Sequence, residues 1–332
     1  MRRNLEGAVV VVTGASSGVG RAIARSFGGQ RARVALIARN EGALTTAAAE
    51  VEASGGAALV LPVDVADAVA VEAAADAVVE RWGRIDVWIN DAMVSVMSPA
   101  LEMTAAEFRR ITEVSYLGYV HGTLAAVRRM RRRGGTVIQI GSALTYRSIP
   151  LQSGYCAAKA AVRGFTDSLR SELMHDRVPV RLCMLQLPAI NTPQFEVVRS
   201  RMPRHPMPVP PIFQPELAAA AVLRAARQPR REVWLGWPTV KAIVGQFFAA
   251  GLIDRYLAWK GYRAQQTGER VAPGRPDNLF QPLPGDRGAH GRFDGRARKR
   301  SAQVWLRAHS GALVAGVAAA AILATGARRW GP

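Results

Sequence analysis

Short, mostly apolar runs alternate along the chain with longer stretches in which apolar residues recur at helical spacing. The runs at 8–12, 34–38, 57–61, 85–89, 137–140, 180–185 and 232–236 have the length and composition of buried strands. Helical patterning falls between them, at 21–27, 41–54, about 66–82, about 104–132, 153–176 and 216–227. Strand and helix alternating in this way predict an α/β chain with a Rossmann-type, doubly wound parallel sheet of about seven strands, helices on both faces. One more helix is predicted over 239–259. Ile243, Val244, Phe247, Phe248, Leu252, Ile253, Tyr256 and Leu257 give it a wide apolar face. That face suits packing on the sheet domain or a partner subunit, and equally suits lying on a membrane surface.

Beyond 262 the periodicity stops. Pro273, Pro276, Pro282, Pro284 and several glycines mark 263–303 as a linker between a catalytic domain, 1–262, and a hydrophobic C-terminal segment, 304–332. Residues 310–327 carry no charge, and a helix of that length, at about 1.5 Å per residue, nearly crosses a hydrocarbon core of roughly 30 Å. Eight alanines and three glycines make the stretch only modestly apolar, so a transmembrane anchor and a soluble docked tail both stand. The anchor is the expectation, with the catalytic domain on the cytoplasmic side. The longer basic cluster, Arg296 to Arg307, precedes the stretch, and only Arg328 and Arg329 follow it. The N-terminus runs straight into a strand, so no secretory signal is expected.

Charge narrows the partners. The net charge is +19, and 40 of the 44 basic residues are arginine. Such a balance attracts anionic cofactor phosphates, anionic lipid or nucleic acid. The arginines are scattered and no nucleic-acid motif occurs, so nucleic acid is not an expected partner. Cys156 and Cys183 have no metal-ligand company and read as reduced thiols, with no metal site.

The first strand runs into Thr13-Gly14-Ala15-Ser16-Ser17-Gly18-Val19-Gly20 and then a helix. A strand, a glycine turn and a helix start make a pyrophosphate site. Gly14, Gly18 and Gly20 let backbone come close, and the helix N-terminus offers free N–H groups. The second strand ends in Ala38-Arg39, where a site for the unphosphorylated ribose usually places a carboxylate. The Arg39 guanidinium suits a 2′-phosphate, which favours NADP(H) over NAD. Asp64, followed by Val65, stands at the end of the third strand, within reach of an adenine amine.

The densest chemistry lies between 135 and 159. Ser142 closes an apolar strand, Tyr155 follows thirteen residues later on a helix, and Lys159 is four residues further on the same helix face. A free phenol ionises near pH 10, too high for proton transfer at neutrality. A fixed ammonium beside it favours the phenolate, and a serine hydroxyl can hold a substrate oxygen against it. Tyr256 and Lys260 repeat the spacing, but no strand-end hydroxyl precedes them, and they read as structural.

Over about residues 5–260 the chain resembles the short-chain dehydrogenase/reductase family. The likeness rests on Thr13-Gly14-x-x-x-Gly18-x-Gly20, Asp64, Asn90-x-Ala92, Ser142, Tyr155, Lys159 and Pro188-x-x-x-Thr192. It implies reversible oxidation of an alcohol to a carbonyl, with Tyr155 as acid/base, Lys159 on the nicotinamide ribose and Ser142 on the substrate. Ser16, Ser17, Val19, Val65, Asn90, Ala92, Pro188 and Thr192 join the glycines as residues around the cofactor. Three positions depart from the family pattern. Asn90-Asp91-Ala92-Met93 has methionine in place of glycine. Ser115 stands where a helix asparagine often completes a proton relay, and a water would have to complete it here. Ala189 follows Pro188 in place of glycine. Residues 193–215, rich in proline, fit a substrate lid or a plain surface loop. The expected function is an NADP-dependent oxidoreductase on a small alcohol or carbonyl, lipophilic if the tail is an anchor, with a homo-oligomer as the assembly. The rival is a non-catalytic regulatory or scaffold protein on the same fold. Retention of both Tyr155 and Lys159 argues against it.

Overall fold

The computed structural model describes residues 4–272, 274–304 and 306. Its centre is a parallel sheet of seven strands: β1 (Val9–Thr13), β2 (Arg33–Ala38), β3 (Ala57–Pro62), β4 (Val87–Asn90), β5 (Gly135–Ser142), β6 (Val180–Leu187) and β7 (Glu232–Trp234). Their order across the sheet is β7-β6-β5-β4-β1-β2-β3, with every pairing parallel. The winding reverses between β1 and β4, so the carboxyl ends of these neighbours open a crevice where ligands of such sheets bind.

Both faces of the sheet are covered. Val10 and Val12 pack in the cluster formed with α1 (Gly18–Gly28), α2 (Glu41–Ala53) and α7 (Pro215–Arg227). Val9 and Val11 point the other way, toward α3 (Ala68–Trp82), α5 (Gly118–Met130) and α6 (Ser153–His175). This alternation on fully apolar strands is why the sequence shows runs and no period of two. The single helix expected over 104–132 is α4 (Ala105–Thr112) joined to α5 through one π turn, Glu113–Leu117. Thr104 and Glu107 start it with a reciprocal capping box.

The segment 263–303 is not the linker that its composition suggests. Gln266–Arg270 pairs antiparallel with Arg204–Pro206, and Leu279, Ala289 and Phe293 are buried. Its contacts are isolated anchors and backbone hydrogen bonds, which leave no periodic trace in a sequence. The proline-rich stretch 193–215 is likewise held at several points, with Arg199–Ser200 paired to Val96–Met97.

The last long helix, α8 (Gly236–Lys260), is kinked at Ala249. Only Gly236, Thr239 and Ile243 of it are buried, while Phe247, Phe248, Leu252 and Trp259 are exposed. The expected apolar face therefore exists, and most of it does not pack on the sheet domain. Among the described residues no helix is long and apolar enough to cross a membrane, and the stretch 310–327 lies outside them.

Candidate active site

The glycine loop after β1 is shaped by contact with the end of β4. Gly14 has a φ of +74°, and a Cβ there would lie 2.9 Å from the backbone of Ala92. The Thr13 hydroxyl accepts from the N–H groups of Asp91 (3.0 Å) and Ala92 (3.2 Å), which ties the two strand ends together. Ser17 precedes α1 without capping it through its side chain. The start of this helix thus faces a cleft of about 650 Å³.

That cleft gathers most of the residues singled out from the sequence. Gly14, Ser16, Ser17, Gly18, Val19, Arg39, Asp64, Val65, Ala92, Ser142, Tyr155, Lys159, Pro188 and Thr192 all line it. Gly20, Asn90 and Ser115 do not. Gly20 faces inward, where any side chain would meet the Gly14 carbonyl, so it shapes the loop without touching a ligand. Asn90 is fully buried, accepts from Trp88 Nε1 and donates to Thr123 (3.0 Å) and Gln139 (2.9 Å). Its amide is a core cross-link and not a cofactor contact. The Ser115 hydroxyl accepts from the Val94 N–H (3.0 Å) and donates to the Val94 carbonyl (2.8 Å). Its one proton is committed there, which makes it a brace between the π turn and the residues that follow β4.

Tyr155 and Ser142 meet at the inner wall of the cleft. Burial pushes the Tyr155 phenol above its ordinary pKa, and a hydrogen bond with Ser142 works the other way. The Ser142 oxygen is itself oriented by the Leu144 N–H at 3.1 Å. Lys159 Nζ lies 5.6 Å from the Tyr155 ring centroid. It donates to the Tyr119 hydroxyl (2.6 Å) and the Ile140 carbonyl (2.7 Å), leaving a third hydrogen for the cleft. Burial lowers Lys159 to about 8, and the negative charge of Asp91 raises it in part. Burial likewise raises Asp91 to about 7, against the pull of Lys159 and a hydrogen bond from the Gly20 N–H. Tyr119 and Asp91, which hold or act on Lys159, were not singled out from the sequence. Tyr119 is one helical turn beyond Ser115 on the same face. Asp91 is the acidic member of Asn90-Asp91-Ala92-Met93.

Tyr256 also reaches the rim of the cleft, while Lys260 Nζ sits 4.5 Å over the Trp259 ring and 5.8 Å from that of Tyr256. This pair contributes wall and surface.

The segment from Asp277 to Asp294 closes the outer side. Arg39 lines the cleft, but its terminal nitrogens donate to the carbonyls of Phe280 and Asn278, each at 2.7 Å. Its guanidinium, expected on a 2′-phosphate, holds this strap. Asp64 is paired with Arg110, which also donates to the Leu279 carbonyl (3.2 Å), and the other Asp64 oxygen accepts from the Ala66 N–H. Asn40 binds the Leu283 carbonyl (2.8 Å), the Gly18 N–H donates to the Gly288 carbonyl (3.0 Å), and the buried Arg21 pairs with Asp286 and Glu50.

The residues present fit a dinucleotide. The glycine loop and helix start have the form of a pyrophosphate site, with the Gly18 N–H engaged by the Gly288 carbonyl, and the cleft has a volume on the scale of ligand sites, roughly 300–1,000 Å³. Three of its lining residues hold buried polar atoms unbonded among the described residues: Ser95 Oγ, Gln194 Nε2 and Asn278 Oδ1.

Known proteins share this arrangement. A family model described as short chain dehydrogenase matches residues 8–202. The oxidoreductase YxnA of Bacillus subtilis is 32% identical over 332 residues, covering 98% of this chain and 92% of its own. Human dehydrogenase/reductase SDR family member 7 is 36% identical over 170 residues, half of each chain. Among solved structures, an alcohol dehydrogenase from Thermococcus sibiricus complexed with 5-hydroxy-NADP has a TM-score of 0.60 at 28% identity, covering 69% of this chain and 95% of that one. A short-chain type dehydrogenase/reductase from Mycobacterium marinum has a TM-score of 0.61 at 26% identity, covering 70% and 95%.

Proposed function

The chain belongs to the short-chain dehydrogenase family, and from that premise we propose that it interconverts a lipophilic alcohol and its carbonyl compound with NADP(H), Tyr155 serving as general acid/base. The observation that carries this reading is the convergence of Ser142, Tyr155 and Lys159 on one cleft with the glycine loop. The nicotinamide supplies or accepts the hydride when bound. In oxidation the phenolate of Tyr155 takes the hydroxyl proton, and in reduction the phenol returns it to the carbonyl oxygen. Ser142 donates to the same oxygen and holds it in place. Lys159, charged below about 8, favours the phenolate through its field and keeps one N–H free for a ribose hydroxyl.

Two features support the finer points. For the cofactor, Ala38, Arg39 and Asn40 stand at the end of β2 where a carboxylate would repel a 2′-phosphate, and the similar archaeal enzyme was solved with an NADP derivative. For the substrate, Met93, Met97, Ile149, Val209, Ile253 and Leu257 make the inner cleft apolar, and the exposed aromatic face of α8 flanks its mouth. A charge-free tail at 310–327 acting as a tether would bring that face to a lipid surface.

The test is NADPH oxidation with a panel of long-chain and cyclic carbonyls, and NADP reduction with the matching alcohols. Tyr155→Phe should lose turnover by about 10²–10⁴-fold while keeping NADPH affinity, and Tyr256→Phe should change turnover little. Wild-type turnover in Tyr155→Phe would refute the assignment.

A further inference from the structure

The strap from Asp277 to Asp294 lies beyond residues 8–202, which the family model matches, and it forms the outer wall of the cleft. Two of its anchors bracket one arginine. Gly285 accepts from Asn40, directly after the end of β2 (3.3 Å), and Gly288 accepts from Gly18 in the glycine loop (3.0 Å). Arg287 is therefore suspended between the glycine loop and the end of β2. In a dinucleotide site of this winding, the ribose 2′ position lies in that gap.

The state of the two nearby arginines differs. Arg39 is drawn onto the strap's own carbonyls, and its burial disfavours its charge. Arg287 lines the cleft with an exposed side chain, and its hydrogen bond among the described residues is a long one, 3.3 Å to the Pro284 carbonyl. Separately, Asn278, which lines the cleft at the other end of the strap, has a buried Oδ1 with no partner among the described residues.

We propose that the strap is part of the nucleotide site and that Arg287 is the residue that selects the phosphorylated ribose, with Arg39 holding the strap in place. The inference rests on the NADP reading above. A guanidinium on a phosphate dianion is a strong, charge-assisted contact, and an exposed arginine with a single hydrogen bond to give up reaches a phosphate at little structural cost.

Binding to the full chain, measured by calorimetry without substrate, tests this. The ligands are NADPH, NADH, 2′,5′-ADP and ADP, and the variants are Arg287→Ala, Arg287→Lys and Arg39→Ala. Arg287→Ala should weaken NADPH and 2′,5′-ADP by about ten- to a hundredfold and NADH and ADP by less than about threefold. Arg287→Lys should recover part of the loss. Arg39→Ala should weaken all four ligands by similar factors, because it loosens the wall and not the phosphate contact. A wild type that does not prefer NADPH overturns the NADP reading and this inference together. A preference for NADPH that survives Arg287→Ala leaves the reading intact and overturns the role of Arg287. So does a selective loss of NADPH in Arg39→Ala alone. Tighter binding of any ligand to Arg287→Ala would make the strap a competitor of the nucleotide, and would also overturn the proposal.

Discussion

Lys159 donates to the hydroxyl of Tyr119 at 2.6 Å, and Tyr119 donates in turn to the Ile140 carbonyl, which Lys159 also reaches. Lys159 on α6 is therefore held from behind by a buried tyrosine on the neighbouring helix. Tyr119→Phe keeps the ring, whose centroid lies 4.4 Å from Nζ, and removes one acceptor. An acceptor stabilises the ammonium over the amine, so its loss lowers the Lys159 pKa further below about 8. In the direction of carbonyl reduction, the alkaline fall in rate should move to lower pH by about one unit. That shift corresponds to about 1.4 kcal/mol, the size of one hydrogen bond to a charged group. A pH–rate profile identical to wild type would remove Tyr119 from this role.

Asp91 acts on the same ammonium from the cofactor side. Its charge raises the pKa values of both Lys159 and Tyr155, while burial keeps its own near 7. Asp91→Asn preserves an oxygen for the Gly20 N–H and removes the charge. Both partners then lose a raising influence, so the whole pH profile should shift toward acid. Below about pH 7 the wild-type carboxyl is itself protonated, and the two profiles should converge. A shift toward alkali, or one that persists at low pH, would contradict the coupling.

The parts legible in the sequence are those with a period or a fixed spacing. Seven apolar runs announced seven strands, and the helical spacing of Tyr155 and Lys159 after a strand-end serine placed three side chains in one cleft. Residues whose role depends on side-chain direction were not legible. Asn90 stands beside the cofactor loop in sequence, yet its amide points into the core, toward Thr123 and Gln139. The strap was invisible for a different reason. Much of it is held through backbone carbonyls, which any residue type supplies, and the rest through single ion pairs such as Arg21–Asp286 that follow no period. Arg21, Arg39 and Arg110 turn out to be among its anchors, and the sequence analysis assigned none of them that role.

Ser115 separates the two kinds of role experimentally. Ser115→Ala leaves the N–H and the carbonyl of Val94 without their partner in a fully buried position. The stability of the chain should fall by about 1–3 kcal/mol, the cost of orphaned buried polar groups. Turnover by the folded fraction should stay within a few-fold of wild type, because the hydroxyl's proton is held by the Val94 carbonyl. Thermal unfolding and the maximal rate, measured on the same preparation, give both values. A large loss of rate at unchanged stability would restore the relay reading.

The strap should be detachable without unfolding the sheet. Asp286→Ala removes one partner of Arg21, which remains paired with Glu50, so no buried charge is abandoned. A hydrogen bond to a charged group contributes about 1.5–3 kcal/mol. Asp286 is about a third exposed, at 36%. Solvent screening therefore brings the expected loss of strap docking down to about 1 kcal/mol, on the order of fivefold in the open population. Amide hydrogen exchange should rise by that factor from about 283 to 291 and stay unchanged in β1, β4 and β5. NADPH should weaken at least as much as NADH, since the strap that opens carries Arg287 with it. Uniform acceleration across the sheet strands would show instead that strap and core unfold as one unit.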